Sequence, residues 1–168
     1  VEKVDVYAEQ IDVAVRIADS LDDGIVAIRL APYRRVFCAS PAYLAKRGTP
    51  RTPEDLGEHD CLLAQGASAE PIWPVMQNGS VRSVPVAGRL VANHGDPIYE
   101  AVVGGLGICM QARWRVEADL RAGRLVEVLP DYVVHNRSIW AVLSQRGAMS
   151  PKVRVFVDFL RETLSDLN

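Results

Sequence analysis

The sequence predicts an α/β fold built as two units, with the polypeptide crossing twice between them. Three observations carry that prediction. Short runs with strand periodicity alternate with short helix-like stretches along the chain. The first three strand-like runs, within Ile11–Ala39, arrive with no helix long enough to cover them. Their best cover is an amphipathic stretch after Ser150-Pro151, far away in sequence. Ile11–Ala39 and Ile139–Leu164 therefore belong to one sheet unit, interrupted by an inserted one. The expected organisation is residues 1–39 with 139–168 as the first subdomain and 40–138 as the second, hinged at the double crossing with a cleft between the lobes.

The elements follow in order. Ile11, Val13, Val15 and Ile17 alternate with Asp12, Ala14 and Arg16, the period of a strand with one wetter face. Strand-like runs Ile25–Leu30 and Arg35–Ala39 come next. Ser40-Pro41 fits a helix start, because a hydroxyl caps free N–H groups and proline at the first helical position lacks one. The short helix Ala42–Arg47 would stop at Gly48 in a left-handed turn. Thr52 and Asp55 are spaced as a weak capping box. Cys61–Ala64 reads as a strand. Asn78-Gly79, between Ile72–Gln77 and Val81–Gly88, is the dipeptide best suited to a type I′ hairpin. After strand residues Leu90–Ala92, Ile98, Ala101, Val102 and Gly105 carry helical spacing. Ile108–Met110 is a strand, Arg113–Ala122 a helix stopped by Gly123, and Leu125–Leu129 and Ile139–Leu143 are strands. The terminal helix places Val153, Phe156, Val157, Leu160 and Leu164 on one stripe.

Composition narrows the function. The chain has 168 residues, 49% hydrophobic and 24% charged, enough to bury a core and too apolar for a disordered segment. The formal net charge is −2, so the basic footprint of a stand-alone DNA binder is missing. No apolar run approaches a membrane span, and Val1-Glu2-Lys3 is neither a signal peptide nor a translation start. The expectation is a cytoplasmic piece of a longer protein. Cys38, Cys61 and Cys109 form no C-x-x-C pair and sit among apolar neighbours, so they read as small buried hydrophobes rather than a redox switch. His59, His94 and His135 lack metal-ligand spacing, and neither a metal nor a cofactor is expected. No G-x-S-x-G, H-E-x-x-H, phosphate-binding loop or dinucleotide fingerprint is present.

Particular motifs then point to a family. The run Ile11–Leu63 contains "ASPAYL", a G-x-P at Gly48–Pro50 and "HDCL" at His59–Leu62. Later come "GLGI" at Gly105–Ile108, "L-x-x-G-R-L-V-x-V-L-P" at Leu120–Pro130, and "SPKVRVFVDFL". In this order they resemble the effector-binding domain of LysR-type transcriptional regulators, over nearly the whole chain. The resemblance implies a type 2 periplasmic-binding-protein-like fold that senses a small effector between its subdomains, and the effector expected is an organic acid. It also implies a dimer or tetramer, and DNA contact only through a winged helix-turn-helix domain outside this chain. The family's first strand–helix–strand of subdomain I finds no counterpart before Ile11, so the first subdomain is expected to be incomplete.

Effector contacts are expected where strands end and helices begin, since free N–H groups and the helix dipole gather anions there. Ala18 and Asp19 follow the first strand. Ala39, Ser40 and Pro41 lie at the expected first crossing, where Ser40 is both a helix cap and a possible donor. Asn93, His94 and Gly95 precede the helix at Pro97, and the resemblance makes Asn93 and His94 the binding loop. A contact from His94 to a carboxylate would make binding pH-sensitive. Asp96 weighs against an anion there, because it can cap the helix and repel one. Gly107 permits close backbone approach or a ligand contact. Leu143, beside Ser144, marks the second crossing. Arg34 and Arg35 could meet an acidic effector but read as a solvated strand face. Trp73, Trp114 and Trp140 read as packing residues, with Trp140 the best placed for a pocket wall.

The reading that follows is a non-enzymatic, ligand-sensing regulatory domain of a LysR-type regulator. Two alternatives stand beside it: an extracytoplasmic solute-binding protein of the same fold, and an enzyme on a related two-lobed scaffold.

Overall fold

The computed structural model describes residues 11–64, 70–144 and 150–165; the chain start Val1-Glu2-Lys3 lies outside them. The chain divides into two compact units, Val1–Arg34 with His135–Asn168, and Arg35–Val134.

The first unit contains β1 (Val13–Ala18), β2 (Val26–Tyr33) and β10 (Arg137–Leu143) in one antiparallel sheet of order β1-β10-β2. The last strand occupies the middle. Ala141 pairs with Val15 on one side and with Ile28 on the other. Helix α4 (Pro151–Ser165) covers one face, Val153 and Val157 packing with Ala141 and Leu143 while Val13, Ile28 and Leu30 line the margin. Two sequence expectations change here. Phe156 is 42% exposed, so the packing stripe of α4 is narrower than the spacing of apolar residues suggests. On β1, Val15 and Ile17 are the exposed residues, while Ala14 and Arg16 are half-buried. The reason is that α4 packs chiefly against β2 and reaches β1 at Val13, leaving Val15 and Ile17 uncovered.

The second unit is a five-stranded sheet of order β7-β4-β8-β3-β9. Its strands are β3 (Arg35–Ala39), β4 (Asp60–Ala64), β7 (Ala87–Ala92), β8 (Ile108–Ala112) and β9 (Val126–Val128). The sequence pattern groups Arg35–Ala39 with the first two strands. In the structure this strand pairs instead with β8 and β9. The physical reason is burial: all five residues of β3 are buried, so it has no wet face and needs layers on both sides. Val36 and Cys38 meet Ile98, Ala101, Val102 and Val116 of α2 (Gly95–Val103) and α3 (Arg113–Arg121). Phe37 and Ala39 meet Tyr43 of α1 (Pro41–Arg47) and Leu56 of the 3-10 helix Pro53–Glu58. That same side is closed by the hairpin of β5 (Ile72–Gln77) and β6 (Ser80–Pro85). Its turn is the expected type I′, with φ 52° at Asn78 and 75° at Gly79. Trp73 is buried here against Phe37, ring centroids 5.3 Å apart. The Val81–Gly88 run does not stay one strand. Pro85 ends β6, and β7 begins at Ala87 to pair in parallel with β4.

Local chemistry explains the joints. Ser40 Oγ accepts the Tyr43 N–H at 3.2 Å, which fixes the start of α1. Gly48 has φ 85° and ψ 169°, not the left-handed helical stop expected but a region still narrower in the residues it admits. Gly107 lies so close to β4 that a Cβ would fall 2.0 Å from the Asp60 carbonyl oxygen.

That contact gives a first prediction. Gly107→Ala should cost about 3 kcal/mol or more, because a main-chain oxygen at the heart of a sheet cannot move aside. Gly57→Ala, where a Cβ meets nothing within 4 Å, should change stability by less than about 0.5 kcal/mol. Urea denaturation of the two variants measures the difference; equal midpoints would contradict the close approach.

Candidate functional site

Strand direction decides which candidate residues can act together. In the second unit, β4 runs parallel to β7 and β8, and β3 runs antiparallel to β8 and β9. The carboxyl ends of β4, β7, β8 and β9 therefore share one edge of the sheet with the amino end of β3. Arg35 lies there, opposite Ala112, while Ala39 lies at the other edge opposite Ile108 and Val126.

The candidates split accordingly. Asn93, His94 and Gly95 follow β7 directly and stand at the carboxyl edge. Ala39, Ser40, Pro41 and Gly107 stand at the opposite edge, where Ser40 and Pro41 border an open depression with Gly104, Gly105 and Arg124. The first unit divides in the same way. Ala18 ends β1 opposite Ser138, and Asp19 is exposed just beyond it. Leu143 ends the antiparallel β10 opposite Val13, buried under α4. The carbonyl of Ala18 is occupied, accepting the Trp140 indole N–H at 3.3 Å. Trp114 is exposed on α3.

At the carboxyl edge of the second unit, the loop is braced from below. Gln111 is buried, and its Nε2 donates to the Gly95 carbonyl at 3.0 Å. Asn93 and His94 are exposed, and the His94 side chain does not cap α2. Asp96 lies in the first turn of α2. Its carboxylate is ion-paired with Arg115 of α3, whose guanidinium also lies 5.1 Å over the Tyr99 ring. The first-turn acid is thus paired with a base of the neighbouring helix, its side chain remaining 77% exposed. Tyr99 continues the brace, donating to Asp119 Oδ2 at 2.8 Å, while Arg124 Nε reaches Oδ1 at 2.6 Å. Burial pushes the Asp119 carboxyl up, yet the hydrogen bonds from Tyr99 and Arg124 outweigh it and hold its pKa below the ordinary value.

Sequence reasoning missed Gln111, Arg115, Tyr99 and Asp119, since nothing local marks a residue that works by bracing another. It also placed Arg35 on a solvated face, whereas Arg35 is 8% exposed and donates to the Val134 carbonyl at 3.3 Å. Arg34 is exposed. Among the described residues, no group of three or more His, Cys, Asp or Glu is placed to hold a metal, and no helix is long and apolar enough to cross a membrane.

A second polar cluster lies at His59. Tyr43 Oη accepts the Asp60 N–H at 2.9 Å and lies within hydrogen-bond distance of His59 Nδ1, 3.1 Å away. A neutral imidazole with Nδ1 unprotonated accepts the Tyr43 hydroxyl proton in this arrangement. Burial, and then the charge of Arg47, lower the His59 pKa below 6.5.

Comparison with known proteins now gives the family. The sequence profile of the LysR substrate binding domain matches residues 3–165. The HTH-type transcriptional regulator DmlR of Escherichia coli K12 is 33% identical over 164 residues, covering 97% of this chain and 53% of that protein. The HTH-type transcriptional activator TtdR of the same organism is 35% identical over 159 residues, covering 94% and 51%. The regulatory domain of CrgA, a LysR-type transcriptional regulator from Neisseria meningitidis, superposes with a TM-score of 0.81 at 29% identity, over 98% of this chain and 81% of that one. The architecture is thus the type 2 periplasmic-binding-protein-like class of regulatory domains. This chain belongs to the LysR substrate-binding domain family. It spans about half the length of the curated relatives it matches. Those relatives are named as transcriptional regulators, which does not favour the solute-binding alternative.

The His59 cluster yields a pH prediction. A histidine held below its ordinary pKa contributes stability that is complete above pH 6.5 and is lost as pH falls through its folded value. Asn at this position keeps an acceptor for Tyr43 and removes the titration. The loss of urea midpoint between pH 7 and pH 5 should therefore be smaller in His59→Asn than in the parent. Parallel pH profiles would contradict the neutral assignment.

Proposed function

We propose that this chain is the effector-sensing part of a cytoplasmic LysR-type transcriptional regulator and performs no catalysis. DNA contact belongs to a winged helix-turn-helix domain elsewhere in the protein, and the regulator works as a homo-oligomer. The effector is a small organic acid. One observation carries this reading: four strands deliver their carboxyl ends to one edge, and there the amino end of α2 follows an exposed Asn93-His94-Gly95 loop whose nearby acid is already paired. Free main-chain N–H groups at that position suit a carboxylate. Asn93, His94 and Gly95 are the contacts we assign in the second unit. Ser40 and Gly107 act locally instead, one as the cap of α1 and the other as the point of closest strand approach.

Thermal-shift measurement on the complete regulatory domain with a panel of small mono- and dicarboxylates tests the assignment. A true effector raises the melting temperature in proportion to the logarithm of its concentration once above Kd. Asn93→Ala and His94→Ala should each weaken the response about tenfold or more, as expected for loss of a hydrogen bond to a charged group. Ser40→Gly should leave it unchanged. A panel without a binder, or a response that survives both loop variants and fails in Ser40→Gly, would refute it.

A further inference from the structure

Cys38 and Cys109, 71 residues apart in sequence, stand opposite each other on β3 and β8. Their sulfurs are 3.6 Å apart, and both thiols are free and fully buried. Directly opposed residues of an antiparallel pair have Cα separations of about 4.5–5.5 Å, within the range that a disulfide spans. Closing to a bond of about 2.05 Å needs side-chain rotation and a small strand adjustment, not a rearranged sheet. Cys61 is kept out of this pair. It packs on the other sheet face with Phe37 and Leu63, and its thiol donates to the Leu56 carbonyl.

We propose that Cys38 and Cys109 are an oxidisable thiol pair that closes to an intramolecular disulfide when the protein meets a hydroperoxide. One sulfur attacks the peroxide, the O–O bond breaks, and a sulfenic acid and water form. The facing sulfur then attacks the sulfenic sulfur, the S–S bond forms, and a second water leaves. In sum two thiols lose two electrons and two protons, and hydrogen peroxide takes up both to become two waters. Burial sets the pace. The hydrogen bond to Cys38, and then desolvation, raise the Cys109 pKa well above that of a free thiol, so Cys109 holds little thiolate in the closed sheet. Oxidation therefore runs through opening of β3 from β8, and the pair answers sustained rather than brief exposure. The product ties together two neighbouring strands inside the sheet and closes a long loop, which stabilises the unit. The inference is independent of the effector assignment.

The test treats the intact protein with hydrogen peroxide, blocks remaining thiols with iodoacetamide under denaturing conditions, and reads the digest by mass spectrometry. The expected result is a linked peptide pair joining Cys38 to Cys109, an intact mass lower by two hydrogen atoms, an alkylated Cys61, and reversal by dithiothreitol. Low urea should speed the reaction, and Cys61→Ala should still form the bond. Cys38→Ala and Cys109→Ala should not form it. Because the parent protein gives the decisive readout, a variant that fails to fold does not hide the answer. The proposal is overturned if the linkage is absent at a dose that oxidises the same thiols in the unfolded chain. It is equally overturned if the bond formed runs to Cys61, or if Cys109 goes to sulfinic acid while Cys38 stays a thiol.

Discussion

The insertion of β10 between β1 and β2 is the constraint on which the first unit depends. Its residues arrive more than a hundred positions after β2, yet they supply both partners' hydrogen bonds and, together with β2, the seat for α4. Without β10, β1 and β2 share no ladder, and Val153 and Val157 have no Ala141 or Leu143 to cover. The loop-closure cost of bringing such distant segments together grows only slowly with length, so a compact second unit can be carried in between. The first unit is thus a late product of the chain, and the second is a continuous segment with its own core.

Within the second unit, β3 plays the comparable part. It lies antiparallel to its neighbours, so it reverses the edge at which its own ends fall. That reversal brings Arg35 rather than Ala39 to the edge of the Asn93 loop and leaves the Ser40 cap at the other. The proposed effector edge then gains its order from polar groups that do not reach it. Gln111 holds Gly95 from beneath, and Arg115 pairs with Asp96. The Tyr99–Asp119–Arg124 chain ties α2 to the end of α3.

Much of the local structure was legible in the sequence because its causes are local. Asn78-Gly79 sets positive φ at both turn positions, Ser40-Pro41 starts a helix, and Gly107 marks an approach that admits no side chain. The family was legible through short motifs in a fixed order, and the profile match over residues 3–165 agrees with it. What periodicity could not give was register and direction. Apolar residues in β3 announce burial without saying which sheet buries them, and the α4 stripe announces a face without saying how wide its seat is. For the same reason the pairing of Cys38 with Cys109 and the bracing of Gly95 by Gln111 were invisible, since each joins residues that only strand order makes neighbours.

Amide hydrogen exchange on β10 tests the central constraint most directly. If β10 is the strand that closes the first unit, the amides of Ile139–Val142 should be among its slowest and should exchange together with those of β2, in a single opening of the unit. Fast exchange of Ile139–Val142 while β2 stays protected would show that the sheet holds without its middle strand, and would contradict the account.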